Sequence, residues 1–249
     1  MNHYVNFFKT LSRQSPGNPS CTRKILGAVR SDLPAEAHVL DLGSGTGEQT
    51  LTLLQQLPQA HIHAIDINPE FLDGLKQRLK NAAEPNLLER VKTECADFTE
   101  YTLSTATYDL IWSEEAFYFM DLDEALVRFK ESLKPGGFFV FSGLTWLVDE
   151  PCAKAKDYWA KHDPQMSTLM EQMARFEKQG YDLIEVQVLP ETVWWDSYYT
   201  PIQAALKSLP ESQKVDFQAL SEHLSAEIET YSQCGAEYSY VYYALQRRD

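Results

Sequence analysis

Long uncharged apolar runs are missing from this sequence of 249 residues. A helix needs about 20 such residues to cross a bilayer, so neither a spanning segment nor a membrane partner is expected. The opening stretch MNHYVNFFKT lacks the charged start and apolar run of a secretory signal, which leads to the expectation of a cytoplasmic protein. Cysteine is scarce: Cys21, Cys95, Cys152 and Cys234 lie far apart and form no CxxC pair. A chain long enough to bury its own core needs no staples, so no disulfide framework, zinc site or other metal is expected, and the thiols read as reduced. Positive charge is also short, with 22 Lys and Arg against 36 Asp and Glu and a formal net charge of -14. The densest basic spots, Arg23-Lys24 and Arg247-Arg248, are mere pairs. Such a surface repels a phosphate backbone, so nucleic acid is not expected as a partner. Internal repeats and low-complexity tracts are absent too.

What the chain does contain is an alternation of short apolar runs with helical patterns, the signature of a sheet covered on both faces. The strand candidates are residues 38–42 (HVLDL), 61–65 (HIHAI), 91–95 (VKTEC), 108–113 (YDLIWS) and 138–143 (FFVFSG). Helical segments are expected over about 47–57, 70–82 and 121–132, with Pro69 and Asp121 as plausible starts. Beyond them come one long helical stretch over 151–179 stopped by Gly180, a strand in DLIEVQVLP (182–190), a mostly helical region from Ser197 to Ser232, and a closing strand in AEYSYVYYALQ. A last strand is free to return antiparallel. The length and the 44% apolar content suit one domain with a real core.

The informative segment is VLDLGSGTGEQT, residues 39–50. An apolar strand runs into Gly43, Gly45 and Gly47 and then into a helical pattern, which puts the glycines in the turn at the carboxyl end of the first strand. There the missing side chain allows a sharp bend and close approach to a ligand; a tight turn with no ligand is the alternative. Asp66 ends the second strand candidate, about 20 positions on, where a carboxylate accepts hydrogen bonds from both hydroxyls of a ribose. A helix cap ahead of Pro69 is its alternative role, and the two can coexist. Asp97 and Phe98 follow the third strand, at the place where an adenine would be met; alone, the pair reads as a loop acid and a core aromatic. A dinucleotide turn wants G-x-G-x-x-G, but Glu48 stands where its last glycine falls and would face a pyrophosphate unfavourably. An NAD-dependent oxidoreductase is therefore a distant alternative.

VLDLGSGTG, IDINPEF, CADF, YDLIWSEEAFYF and LKPGGFFVFSG occur in this order, and together they resemble the Rossmann-like class I S-adenosylmethionine-dependent methyltransferases over roughly residues 20–145. RQSPGNPSCTRK and IWSEEAFY further resemble an uncharacterised bacterial small-molecule subgroup. The resemblance implies an α/β fold: a seven-stranded mixed sheet of order 3-2-1-4-5-7-6, strand 7 antiparallel, with helices on both faces and a helical insertion over the carboxyl edge. It implies a single methyltransferase domain: a helical cover over 1–35, a cofactor-binding core over 36–145, a helical segment over 146–180, and a lid over 191–236 between the last two strands. S-adenosyl-L-methionine is the implied cofactor, held by Gly43, Gly45, Gly47, Asp66, Ile67, Asp97, Phe98 and Ser113. Asp41 either supports the glycine loop or receives the cofactor's amino group. Arg13 and Gln14 close over the cofactor or lie on a solvated surface.

The implied reaction is methyl transfer to a small-molecule acceptor, an amine or another nitrogen or oxygen nucleophile. A noncatalytic S-adenosylmethionine-binding protein is the alternative, since fold does not fix activity. Glu114 and Tyr118 are the catalytic candidates, with Glu115 and His162 also near the carboxyl edge. Glu115, Trp146, Trp194 and Tyr198 are the substrate-side candidates. The VWWDSYY cluster is expected to form a lid whose aromatic faces, near Glu114, Glu115 and Asp196, suit a cationic acceptor; packing of the insertion onto the core is the competing role.

Overall fold

A computed structural model describes residues 3–249 of the chain. Its strands are β1 (His38–Leu42), β2 (His61–Asp66), β3 (Val91–Cys95), β4 (Tyr108–Glu114), β5 (Leu133–Trp146), β6 (Ser167–Thr168), β7 (Tyr181–Val188) and β8 (Tyr238–Arg247). They form one sheet of order β3-β2-β1-β4-β5-β8-β7, with β6 pairing off this path against the end of β5. The first five strands pair in parallel, and β8 is antiparallel to both neighbours. The expected seven-strand order is present; the two-residue β6, paired at Thr145 and Trp146, makes eight strands in all.

The helices are α1 (His3–Phe8), α2 (Pro19–Gly27), α3 (Glu48–Gln56), α4 (Pro69–Asn81), α5 (Leu122–Ser132), α6 (Ala153–His162), α7 (Leu169–Lys178), α8 (Glu191–Trp194), α9 (Thr200–Ser208), α10 (Glu211–Lys214) and α11 (Gln218–Cys234). Every residue of β4 is buried, as a central strand covered on both faces requires. Because successive side chains of a strand point to opposite faces, Leu110, Trp112, Phe138 and Val140 enter one core, with Ile25, Leu53 and Leu75 from helices α2, α3 and α4. Ile111, Phe139 and Phe141 enter the other, against Leu126 and Phe129 of α5 and Phe176 of α7.

Two expectations need correction. The stretch 151–179 is not one helix. Asp163 precedes Pro164, whose ring disfavours helical backbone in the residue before it, and Asp163 sits at φ -145°. Thr168 and Glu171 then start α7 afresh with a reciprocal capping box, and Gly180 ends the turn after it at φ +77°. Nor are all four thiols reduced: Cys152 and Cys234 are joined in a disulfide with their Cα atoms 6.9 Å apart. Cys152 caps the start of α6 and Cys234 ends α11, so antiparallel packing of the two helices unites residues 82 apart in sequence, a proximity that spacing alone does not reveal. Cys21 and Cys95 are free. Among the described residues, no helix is long and apolar enough to cross a membrane.

Candidate functional site

A cavity of about 800 Å³ opens at the carboxyl edge of the sheet, where open α/β sheets hold ligands. The loop after β1 forms one wall. Gly43 and Gly45 take left-handed φ values of +67° and +53°, and the Gly43 and Ser44 N–H groups donate to the Ile65 carbonyl at 2.9 and 3.0 Å. A β-carbon on Gly45 would stand 2.6 Å from Gln14 Oε1, so only glycine lets the strap before α2 close this tightly. Gln14 Oε1 accepts from the Thr46 N–H at 3.1 Å, and its Nε2 donates to the Phe8 carbonyl.

Asp66 joins β2 to this loop. Its Oδ2 accepts from the Gly45 N–H at 2.9 Å and its Oδ1 from the Asn68 N–H at 2.8 Å. The N-cap of α4 is Asn68, so the cap alternative does not describe Asp66, which lines the cavity. Burial pushes its carboxyl above the usual range. Ile67 stands exposed on the cavity rim, and Asp97 and Phe98 line the same wall. Asp97 is held below the usual carboxylate range by hydrogen bonds from the Thr99 hydroxyl and N–H.

Three expected cofactor residues lie behind this wall, outside the lining. Gly47, at φ +81°, is the N-cap of α3; a β-carbon there would meet Leu75 Cγ at 2.5 Å, so it serves the packing of α4. The Ser113 hydroxyl donates to the Leu42 carbonyl at 2.9 Å inside the sheet. Asp41 is wholly buried and accepts from the Thr50 hydroxyl at 2.5 Å, which is the geometry of a support for the loop; burial pushes its carboxyl up to about 7.

Glu114 also differs from expectation. Its Oε1 accepts from the Thr22 hydroxyl at 2.7 Å and the Trp112 indole at 3.1 Å; its Oε2 accepts from Arg13 Nη2 at 2.5 Å and the Tyr242 hydroxyl at 3.0 Å. With both oxygens doubly engaged, this carboxylate anchors Arg13 and has no free lone pair for a proton in transit. Arg13 also donates to Glu48 at 3.1 Å, so both of its terminal nitrogens are committed.

Glu115 is the contrary case. It sits at φ +58°, a left-handed conformation that a non-glycine residue adopts only under constraint, and its N–H is fixed by the Ser142 hydroxyl at 3.0 Å. The side chain is buried in the cavity wall; neither carboxyl oxygen makes a hydrogen bond of good geometry, the Ser15 hydroxyl being its polar neighbour. Burial drives it well above the carboxylate range despite the opposing field of Arg13. Tyr118, at the cavity, is raised to about 12 by burial and by the charges of Glu115 and Asp66, so at neutral pH it donates hydrogen bonds and does not accept protons.

The far side of the cavity comes from α1, α6, the Trp195–Tyr199 turn, α11 and β8: Tyr4, Tyr158, Tyr198, His223, Glu227 and Tyr240. Tyr198 therefore meets the cavity as expected. Trp194 does not: wholly buried, it stacks on Tyr231 at 4.4 Å and Tyr240 at 5.2 Å, and its indole N–H donates to the Ser239 hydroxyl. Trp146 likewise packs edge-on against Tyr238 outside the lining, and Asp196 is exposed. Only one flank of the VWWDSYY turn faces the cavity; the tryptophan anchors it. His162 lines the cavity, 4.8 Å between ring centroids from His223, and burial lowers both imidazoles. Glu227 was not singled out from the sequence. It lies three residues after Leu224 and four before Tyr231 on the buried stripe of α11, and an acid in that register was the available signal.

The fold has counterparts among known proteins. Residues 39–137 match the family model of a methyltransferase domain. A malonyl-[acyl-carrier protein] O-methyltransferase of Dechloromonas aromatica is 31% identical over 128 residues, 49% of this chain and 43% of that protein. Its counterpart from Acetivibrio thermocellus is 33% identical over 141 residues, 56% and 47% of the two chains. This chain thus spans less than half the length of these curated relatives. A crystal structure of a methyltransferase from Thiobacillus denitrificans with S-adenosyl-L-homocysteine superposes with a TM-score of 0.80 at 25% identity, covering 100% of this chain and 99% of that one. One from Geobacter sulfurreducens gives 0.83 at 20% identity, covering 98% of each.

Fold, glycine loop and matches define the class, the Rossmann-like class I S-adenosylmethionine-dependent methyltransferases. Residues 39–137 of the chain carry the matched methyltransferase domain. Its cofactor is S-adenosyl-L-methionine, and the residues present fit it. The loop brings left-handed glycines beside an acid suited to ribose hydroxyls, while the one arginine lining the cavity is bound to Glu48 and Glu114, leaving it unavailable to a pyrophosphate.

Proposed function

We propose that the protein transfers the methyl group of S-adenosylmethionine to a small molecule through a nitrogen or oxygen nucleophile. The observation that carries this reading is the continuity of the cavity. One space holds the glycine loop with Asp66, Asp97 and Phe98 and also an aromatic chamber of Tyr4, Tyr158, Tyr198 and Tyr240, with Glu115 also in its wall. Its volume lies toward the upper end of the ~300–1,000 Å³ of single-ligand pockets, as two ligands side by side require.

In this reading Asp66 binds the ribose hydroxyls, while Asp97 and Phe98 receive the adenine. Bound there, the sulfonium supplies an activated methyl group, so the protein's work is to align the acceptor and exclude water, worth ~7–11 kcal/mol when the geometry is right. Glu115 in its ionised form accepts the proton that the nucleophile sheds, and burial, by raising this carboxyl, makes the carboxylate a stronger base. Tyr118 orients the acceptor by donating a hydrogen bond.

Labelled S-adenosylmethionine incubated with a metabolite library tests the proposal. Label should appear in a small product, and Glu115→Gln should abolish most of it while leaving S-adenosylhomocysteine affinity unchanged by calorimetry. A protein that binds the adenosyl ligand yet labels nothing in the library is a binder and not a transferase.

A further inference from the structure

We propose that the acceptor chamber is a site for a protonated or quaternary amine, seated between Glu115 and Glu227 against tyrosine faces. This rests on the methyl-transfer reading and narrows it to one substrate class.

The chamber concentrates acidic side chains without a matching cation. Glu115, Glu227 and Asp163 all line it. Arg13 is spent on Glu114 and Glu48, and the His162 and His223 imidazoles are both shifted down by desolvation, away from the charged form. Among the described residues, neither Glu115 nor Glu227 has a cationic partner within salt-bridge distance. Glu227 is 9% exposed and accepts only from the Tyr199 hydroxyl, at 3.1 Å; Glu115 is 6% exposed and its oxygens are without hydrogen bonds of good geometry. Glu115 lies within the field of Glu227, and the charges of both act on Tyr198 and Tyr240.

Burying two carboxyls without counter-ions is expensive, and such groups in native proteins are normally paired. The left-handed backbone that puts Glu115 in this wall adds a constraint to the same spot. A ligand carrying positive charge satisfies both acids at once, and the electron-rich faces of Tyr4, Tyr158, Tyr198 and Tyr240 attract it further. A carboxylate or phosphate in the same place meets two acids and no free cation.

The chemistry follows the same sign. For an acceptor bearing N–H, the positive charge of the bound ammonium favours the ionised form of Glu115, to which the ammonium then passes one proton, freeing the nitrogen lone pair. That pair forms the new N–C bond as the electrons of the C–S bond remain on sulfur. Positive charge thereby leaves sulfur and reappears on nitrogen, in front of the same two carboxyls. A quaternary amine binds the chamber but has no lone pair and inhibits.

Calorimetry with phenethylamine and with 3-phenylpropionate, equal in size and opposite in charge, tests the inference on the full chain with and without saturating S-adenosylhomocysteine. Phenethylamine should bind at least ten-fold more tightly. Glu227→Gln, which keeps an acceptor for Tyr199, and Glu115→Gln should each weaken it ten-fold or more while S-adenosylhomocysteine affinity stays within two-fold. Absence of phenethylamine binding, equal or tighter binding of 3-phenylpropionate, or unchanged amine affinity in both variants overturns the proposal. Failure of S-adenosylhomocysteine itself to bind overturns the methyl-transfer reading instead.

Discussion

Arg13 and Glu114, 101 residues apart in sequence, form a buried ion pair at 2.5 Å that fastens the N-terminal strap to the end of the central strand. Removing one member of such a pair leaves an uncompensated charge, which costs ~3–5 kcal/mol. Glu114→Ala should therefore lower stability by about that amount in urea denaturation. The double variant Arg13→Met with Glu114→Ala should recover part of the loss, because neither charge is then stranded. A loss in Glu114→Ala below about 1 kcal/mol would show that Glu48 alone suffices to hold Arg13.

Asp66→Ala is expected to weaken S-adenosylhomocysteine roughly ten-fold or more, since hydrogen bonds to a charged acceptor are worth ~1.5–3 kcal/mol. Part of the effect comes through the loop, because the same carboxylate holds the Gly45 and Asn68 N–H groups. Calorimetry on the folded protein is the measurement; unchanged affinity would remove Asp66 from the ribose site.

For Trp194→Ala the expected result is structural. A wholly buried tryptophan stacked between Tyr231 and Tyr240 should cost ~3–5 kcal/mol on truncation. Cofactor affinity of the folded fraction should not move. A variant of unaltered thermal midpoint with impaired acceptor binding would restore the lid role.

Asp41 makes stability depend on pH in the direction opposite to a salt-bridged acid. Its carboxyl rises from 3.8 in the unfolded chain to about 7 in the fold, with burial as the main cause. Between those values the folded state binds the extra proton, so the contribution of this group declines as pH rises and is fully unfavourable above about 7. Asp41→Asn removes the titration. Relative to wild type, this variant should gain stability as pH rises from about 4 to about 7, by an amount on the order of 1.4 kcal/mol for each unit of pH through most of that window, and level off above it. Parallel pH profiles for the two proteins would contradict it.

The glycine-loop wall of the cavity was legible in sequence because its geometry is local. HVLDL predicts β1 to the residue, and glycines are needed at Gly43 and Gly45 by left-handed backbone that the turn itself imposes. Asp66 was visible for the same reason, being the last residue of the neighbouring strand. The opposite wall was not, since it forms where α1, α6, α11 and β8 converge. Glu114 and Glu115 are adjacent in sequence, but a positive φ at the second sends them to opposite duties, one saturated and one open. Trp194 and Tyr198, four apart on one helical turn, divide between core and cavity in the same way. The Cys152–Cys234 bond and Glu227 belong to this long-range layer as well.

Much of that wall is a cassette. The chain leaves the sheet after Val188 and returns at Tyr238 on the adjacent strand, and the neck is closed by the Leu189 N–H donating to the Tyr240 carbonyl at 2.9 Å. The register of β7 against β8 is set by residues outside the inserted helices. Helices of another length or lining can therefore be exchanged between Pro190 and Glu237 without shifting a strand that carries the glycine loop. The rivet between Cys152 and Cys234 is the exception: a transplanted cassette must bring its own partner for Cys152, or leave α6 unpinned at the edge of the new chamber.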